Sequence, residues 1–174
     1  MIGKTQLIVW IKKADRKISR KITVVAVGGT AMTLLGLKPS TRDVDFCISS
    51  EDKQEFKKAI DKAFKVDLFF DGYIFSEQLP DDYAEKSKEI LRLKNITLKT
   101  LGPEDIVITK SARLNARDEE DIQAIAKYVK KEELIERFNQ VIGTYAGKEE
   151  DYRMNFEVVL KRYFGKDKNS QKKN

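Results

Sequence analysis

Asp43 and Asp45 are the two residues of this sequence best suited to chemistry, because they lie one residue apart in the apolar run DVDFCI. Such a run predicts a β-strand. Side chains alternate along a strand, so both carboxylates should lie on one face while Val44 and Phe46 point into the core. Adjacent carboxylates repel each other unless a cation lies between them, and Mg²⁺ prefers such hard oxygen ligands. We therefore expect Mg²⁺, or Mn²⁺, to bind at this pair.

Two glycines upstream of the acid pair indicate what such a cation would face. Gly28 and Gly29 follow the apolar run ITVVAV, which predicts a strand over 22–27, and a short helix is expected from Thr30 onward. Glycine lets the backbone approach a phosphate closely, and the free N–H groups at the start of a helix attract anions. Thr30 adds a hydroxyl group. A metal site that faces such an anion cradle predicts a nucleoside triphosphate site.

Each of these two motifs also has an ordinary explanation. An isolated Asp-x-Asp pair can be a solvated strand edge, with Arg42 forming an ion pair with Asp43. A Gly-Gly turn can be a plain connection from a strand to a helix. Arg42 has the alternative role of contacting a phosphate. The occurrence of both motifs in one short segment favours the nucleotide site over two separate explanations.

Composition narrows the chemistry that this chain can carry out. Histidine is absent and Cys47 is the single cysteine, which excludes His-based catalysis, His-ligated zinc and an intrachain disulfide. The net charge of +6 favours an anionic partner such as a nucleotide or RNA, although the tail after Gly165 supplies about half of this excess. The apolar runs are too short for a membrane span or a signal peptide, so we expect a cytoplasmic protein.

The hydrophobic pattern predicts an α/β half followed by a helical half. Residues 71–95 are expected to form a loop with one short helix, in which Tyr73 and Phe75 pack in the core or stack on a base. We expect three parts, which are a catalytic core (1–102), a C-terminal helical region (103–165) and a disordered basic tail (166–174). The expected helices cover 4–20, 30–37, 50–64, 102–117, 117–130, 131–142 and 149–164, and the expected strands cover 22–27, 43–49, 65–70 and 96–101.

The segment VGGTAMTLLGLKPSTRDVDF resembles the motif of the nucleotidyltransferase superfamily, which has the polymerase-β-like fold. The apolar-Gly-Gly run at 27–29 and the Asp-apolar-Asp-apolar run at 43–46 fit the two halves of that motif. The resemblance implies an α/β (α+β) fold with a mixed β-sheet flanked by helices, followed here by a C-terminal helical bundle. It also implies a third carboxylate on a later strand of the sheet. Asp67 in KVDLFF fits this position, and its alternative is an ordinary strand aspartate.

A second segment, LGPEDIVITKSARLNARDEEDIQAI, resembles the lysine-containing helix and the downstream aspartate of the AbiEii-type toxin nucleotidyltransferases. Lys110 matches the lysine. On one helix, Lys110, Arg113 and Arg117 would share a face and hold a triphosphate, or they would form a solvated basic surface. Asp118 and Asp121 both fit the downstream acid. Asp121 is the better match, and it would orient Lys110 or Arg117 through an ion pair.

The resemblance implies transfer of a nucleoside monophosphate from an NTP to a hydroxyl group, with release of pyrophosphate. Asp43, Asp45 and Asp67 would bind Mg²⁺, and Asp67 would also help to deprotonate the acceptor. The expected nucleotide-binding residues are Gly28, Gly29, Thr30, Arg42, Lys110, Arg113, Arg117 and Asp121.

Several acceptors are compatible with the resemblance. They are RNA or tRNA, a protein, and a small molecule of the aminoglycoside type. The basic net charge favours RNA, in a toxin that pairs with an antitoxin protein. A different class of function is a non-catalytic nucleotide- or RNA-binding module that has the same fold.

Overall fold

A computed structural model of the protein describes residues 1–75 and 77–165. These residues contain short strands and helices in alternation, and then helices alone. The strands are β1 Ile2–Gly3, β2 Ile22–Ala26, β3 Ser40–Thr41, β4 Val44–Ile48, β5 Val66–Phe70, β6 Tyr73–Ile74, β7 Glu77–Gln78, β8 Lys88–Arg92 and β9 Ile96–Thr100. The helices are α1 Lys4–Asp15, α2 Gly28–Leu34, α3 Lys53–Ala59, α4 Tyr83–Lys86, α5 Pro103–Arg113, α6 Ala116–Ile125, α7 Lys131–Val141 and α8 Glu149–Phe164, with 3-10 turns at Ala126–Tyr128 and Ile142–Thr144.

Seven strands of the described chain form one mixed sheet in the order β7-β6-β5-β4-β2-β9-β8. Inside the sheet, β2 runs antiparallel to β4 and parallel to β9, and β4 runs parallel to β5. The outer strands β6, β7 and β8 join in antiparallel fashion. The pair β1–β3 lies outside this sheet and sets Ile2 opposite Thr41. The expected mixed sheet is therefore confirmed.

Aromatic packing closes one face of the sheet. Phe46 of β4 stacks on Trp10 of α1, with ring centroids 6.4 Å apart and planes 5° apart. It also meets the ring of Phe56 in α3 edge-on at 5.9 Å, and all three residues are buried. Because neighbouring side chains in a strand alternate between faces, this packing leaves the carboxylate of Asp45 on the opposite face.

The C-terminal helices pack as a bundle around α5, which contacts α6, α7 and α8. Asp105 of α5 accepts two hydrogen bonds of 2.7 Å from the guanidinium of Arg137 in α7. Both side chains are buried, so the guanidinium compensates the buried charge of Asp105, and Arg137 also donates to Asp82 at 2.9 Å. Phe138 of α7 stacks on Phe156 of α8 at 3.8 Å. The expected C-terminal helical bundle is therefore confirmed.

The break between α5 and α6 overturns one expectation about the basic residues. Helix α5 ends at Arg113, and the next residue, Leu114, has a left-handed φ of 44°. Asn115 then caps α6, because its side-chain oxygen accepts a hydrogen bond from the N–H of Arg117 at 3.0 Å. The expectation that Lys110, Arg113 and Arg117 share one helix is therefore wrong. Lys110 and Arg113 lie in the last turn of α5, and Arg117 lies in the first turn of α6.

Other element boundaries also differ from the expectations. Helix α1 ends at Asp15 rather than near residue 20, and α3 ends at Ala59 rather than near residue 64. The segment 71–95 is not a loop with one helix, because it also carries β6, β7 and β8. Within it, Tyr73 and Phe75 are 57% and 62% exposed, so neither packs in the core.

Two further expectations concern the basic tail and membrane-spanning segments. The basic tail at 166–174 lies outside the described residues. In the remainder, which is residues 1–75 and 77–165, no helix has both the length and the apolar character needed to span a bilayer.

Candidate active site

The three predicted acids converge on one face of the sheet. Asp45 of β4 and Asp67 of β5 are direct partners across the parallel ladder, so their side chains project to the same face. Asp43 directly precedes β4. Its Oδ1 lies 3.7 Å from the Nζ of Lys65, which also lies 3.4 Å from the Oδ2 of Asp67. The ammonium group of Lys65 thus acts as a counter-ion for the acid cluster, which we define as Asp43, Asp45 and Asp67.

Burial and neighbouring charges shift the pKa values of Asp45 and Lys65. Burial, followed by the charges of Asp67 and Asp43, raises the pKa of Asp45 to about 6, against the opposing effects of Lys65 and Arg113. The carboxylates of Asp43 and Asp67 in turn raise the pKa of Lys65. Like charges that the fold holds together in this way are typical of functional sites.

The acid cluster has the donor chemistry of a Mg²⁺ site, since hard divalent cations bind to carboxylate oxygens. As the side chains stand, no group of three acidic or thiol residues in the described parts of the chain could hold a metal ion. The ammonium group of Lys65 contacts both Asp43 and Asp67, the two outer members of the cluster in sequence. The Lys65 side chain is 70% exposed, so it can leave the cluster without disturbing the core.

The glycine turn lies directly against the acid cluster. Gly28 has a left-handed φ of 52°, and a Cβ atom added there would lie 3.5 Å from the Oδ2 of Asp45. A Cβ atom on Gly29 would lie 2.8 Å from the Oγ1 of Thr41, which is closer than such atoms approach. The local structure therefore requires both glycines. Their contact with a phosphate stays a prediction.

Thr30 holds the backbone of the acid pair in place. It is fully buried, and its hydroxyl donates to the carbonyl of Asp43 at 3.2 Å and accepts from the N–H of Asp45 at 2.9 Å. The hydroxyl of Thr41 donates to the same Asp43 carbonyl at 2.9 Å. The Thr30 hydroxyl, which was expected to contact a phosphate, instead fixes the two acids against α2.

An open cleft of ≈ 290 Å³ lies beside the acid cluster. Its walls carry the cations of Lys38, Arg42 and Arg117 together with the carboxylates of Asp43 and Asp45. This mixture of charges suits a triphosphate that binds with divalent cations. Arg42 and Arg117 were predicted from the sequence, whereas Lys38 was not, and its only signal was its position in the spacer between the two motifs. The other residues that line the cleft are Met1, Ser40 and Thr41.

Lys110 lies in a buried ion-pair network behind this cleft. Its Nζ is 2.6 Å from the Oδ2 of Asp121 and 3.3 Å from the Oδ1 of Asp118, and all three residues are buried. Asp121 also lies 2.8 Å from the Nζ of Lys38. Both candidate downstream acids therefore bind Lys110, and Lys38 is the member of the network that reaches the cleft.

Arg113 extends from the end of α5 toward the acid cluster. Its Nη2 lies 3.2 Å from the Oδ1 of Asp118, and its side chain is 50% exposed. Its guanidinium carbon lies 5.3 Å from the ring centre of Phe75, and its charge opposes the burial-driven rise in the pKa of Asp45. The structure therefore brings Arg113 to the site together with an exposed aromatic ring.

Sequence comparison identifies the family to which this site belongs. No curated protein matches the chain. The family model described as a nucleotidyltransferase of unknown function (DUF6036) matches residues 6–170, which is nearly the whole chain. The more specific resemblance to the AbiEii-type toxin enzymes stays a prediction. The chain belongs to this family of nucleotidyltransferases of unknown function.

Proposed function

We propose that this protein is a Mg²⁺-dependent nucleotidyltransferase that moves a nucleoside monophosphate from an NTP to a hydroxyl group. The observation that carries the proposal is the pairing of Asp45 with Asp67 across β4 and β5. Asp43 lies beside them, because the ammonium group of Lys65 contacts both Asp43 and Asp67. The cluster lies against the Gly28 turn and a cleft with cationic walls. Carboxylates for a divalent ion and cations for phosphate oxygens are the groups that phosphoryl transfer requires.

Asp43, Asp45 and Asp67 would hold Mg²⁺ or Mn²⁺ in place of the ammonium group of Lys65. When bound, such ions supply charge stabilisation for the oxygens that gain negative charge in the transfer. The raised pKa of Asp45, caused first by burial and then by its two acidic neighbours, is typical of carboxylates that lack a strong counter-charge. The donor set therefore fits a hard divalent cation.

The side chains of this protein would position the reactants and receive a proton. The acceptor oxygen forms a bond to the α-phosphorus of the NTP, and the bond from that phosphorus to pyrophosphate breaks. The hydroxyl proton passes to the carboxylate of Asp67, whose side chain is 46% exposed and is therefore accessible to an acceptor. Lys38, Arg42 and Arg117 neutralise the triphosphate from the walls of the cleft.

We propose RNA, such as tRNA, as the acceptor. The formal net charge of +6 favours a polyanion, and Asp43 and Asp45 border a cleft that is open to solvent. The experiment is incubation with α-labelled NTPs, Mg²⁺ and separate pools of total RNA, protein and an aminoglycoside. We expect label on RNA. Label on the protein pool or on the aminoglycoside alone would contradict the RNA proposal and identify the acceptor class.

Matched variants test the transferase activity itself. Asp45→Asn should reduce label transfer at least about a hundredfold, as expected when a group that acts in the transition state is lost. Asp81→Asn changes an exposed aspartate outside the cluster and should leave transfer unchanged. NTP binding that survives Asp45→Asn, with no transfer by the wild type under any condition, would contradict the enzyme and favour a non-catalytic binding module.

A toxin that an antitoxin protein neutralises is the biological setting we propose for this activity. Expression of the wild-type protein in a bacterial host should arrest growth, whereas the Asp45→Asn variant at the same protein level should not. Normal growth with an active wild-type enzyme would contradict the toxin role and leave the transferase proposal intact.

A further inference from the structure

Phe75 combines two features that do not favour folding. Its side chain lies at the surface, with the residue 62% exposed. Its φ of 54° is left-handed, a conformation that bulky side chains rarely adopt. An aromatic ring that is held at the surface in a strained backbone conformation gains little from packing. Such strain concentrates at functional sites, so the ring is a candidate for ligand contact.

Two neighbours brace the ring. Phe69 of β5 lies 4.6 Å from it between centroids, with the planes 56° apart. The guanidinium carbon of Arg113 lies 5.3 Å from the centre of the Phe75 ring. Arg113 is itself held by the buried carboxylate of Asp118 at 3.2 Å. The ring is therefore supported by an aromatic contact and a cation, while most of its surface stays open to solvent.

The braced ring lies next to the acid cluster on the same face of the sheet. Phe69 follows Asp67 by two residues in β5, so the two side chains share a face with their Cα atoms roughly 7 Å apart. One side chain, that of Phe69, therefore connects the exposed ring to the strand position of Asp67.

We propose that Phe75, braced by Phe69 and Arg113, is a stacking platform for the base of a nucleotide whose phosphate or reactive hydroxyl lies at the acid cluster. The inference rests on the proposed function and adds a base-binding subsite to it. Nucleobases stack on aromatic rings and on guanidinium planes, and every base offers a flat π-face. The rings of Phe69 and Phe75 form a small surface that has charged groups at its rim. Such a surface suits a nucleobase better than it suits an apolar protein partner.

The experiment compares binding of four NTPs, a short single-stranded RNA and inorganic tripolyphosphate, each with Mg²⁺. Phe75→Ala should weaken binding of the NTPs, of the RNA, or of both by about tenfold, which is typical for loss of one base–aromatic stack. Binding of tripolyphosphate, which has no base, should stay unchanged. Phe75→Tyr keeps the ring and should stay within about twofold of the wild type.

Tyr128 provides a matched control. It is 55% exposed and has the ammonium group of Lys127 5.0 Å from its ring centre, but it lines a separate apolar cleft with residues such as Leu101 and Ile125. Tyr128→Ala removes a comparable exposed ring and should leave the binding of NTPs and RNA unchanged. Thermal unfolding of each variant checks that it is folded.

The two arms separate the possible sources of the base. A loss with the NTPs assigns the platform to the donor, and a loss with the RNA alone assigns it to the acceptor. Unchanged binding of both by Phe75→Ala would overturn the platform, and label transfer by the wild type would then leave the proposed function standing. An equal loss of tripolyphosphate binding would also overturn it. A wild-type protein that binds NTPs and RNA no better than tripolyphosphate and transfers no label would overturn both proposals.

Discussion

The Nζ of Lys38 lies 2.8 Å from the Oδ1 of Asp121, so the wall of the cleft is joined to the buried Lys110 network. The two lysines share this acidic partner but differ in exposure. The Lys38 side chain is 32% exposed, and that of Lys110 is 5% exposed. We therefore expect Lys110 to contribute mainly to stability and Lys38 mainly to ligand binding.

Lys110→Met should lower the free energy of unfolding by about 3 kcal/mol, because the carboxylates of Asp118 and Asp121 would lose their buried counter-charge. They would keep only the partly exposed cations of Arg113 and Lys38. Lys38→Met should lower it by at most about 1 kcal/mol, since Asp121 keeps its contact with Lys110. Urea denaturation measures both values. Lys38→Met should instead weaken the binding of tripolyphosphate roughly tenfold. A larger loss of stability in Lys38→Met than in Lys110→Met would contradict this assignment.

Lys65→Ala should raise the affinity for Mg²⁺ or Mn²⁺, because the ammonium group that competes for Asp43 and Asp67 would be gone. The metal-free variant should be less stable than the wild type, since its clustered carboxylates lose a counter-charge. Thermal unfolding at increasing metal concentration measures both effects, and the metal-induced rise in Tm should be larger in the variant. Lys62→Ala, at an exposed lysine outside the cluster, is the control. A smaller rise in Lys65→Ala would show that Lys65 does not compete with the metal.

Asp45→Asn should make the metal-free protein more stable at neutral pH but not in acid. Burial, with Asp67 and Asp43, raises the pKa of Asp45 from its ordinary 3.8 to about 6. Between these values the folded state binds more protons than the unfolded state, so the free energy of unfolding falls as pH rises. Asparagine does not titrate, so the free energy of unfolding of the variant does not fall for this reason.

Thermal unfolding in EDTA over this pH range tests the shift. The Tm of Asp45→Asn should exceed that of the wild type most clearly above about pH 6, and the difference should shrink toward about pH 4. Asp81→Asn, at an exposed aspartate, should show no such trend. A Tm difference that is constant with pH would argue against a raised pKa at Asp45.

Gly29→Ala should destabilise the protein by about 1–3 kcal/mol, because the new Cβ atom would lie 2.8 Å from the Oγ1 of Thr41. Gly143→Ala is the matched control, since a Cβ atom there meets no heavy atom within 4 Å. Denaturant unfolding compares the two. The double variant Gly29→Ala/Thr41→Ala should recover part of the loss. If Gly29→Ala and Gly143→Ala behave alike, the close approach does not constrain the turn.

The positions of the acids were predictable because strand alternation is a local rule. Asp45 and Asp67 each lie in an apolar run, so their common face followed from the order of the strands and from the resemblance to the superfamily. The start of the turn at Gly28 and Gly29 followed from the end of the first apolar run. Strand alternation and the turn depend on residues within a few positions of one another, whereas the resemblance supplied the expectation that Asp67 lies in the same sheet as the acid pair.

The contacts that depend on tertiary packing were not predictable. Lys65 resembles any surface lysine until the neighbouring strands bring Asp43 and Asp67 to its ammonium group. The hydrophobic pattern did not predict strand β8, because its sequence, KEILR, is short and largely charged, as is common for an edge strand. The break at Leu114 had a weak local signal in the capping residue Asn115, which the apparent spacing of the basic residues obscured.

The pairing of Ile2 with Thr41 has a practical consequence for experiments on this protein. It anchors the beginning of the chain at the rim of the cleft, where Met1 forms part of the wall. A purification tag fused ahead of Met1 would therefore emerge beside Arg42 and crowd the entrance for substrates. A comparison of the same sample before and after tag removal reveals this artefact.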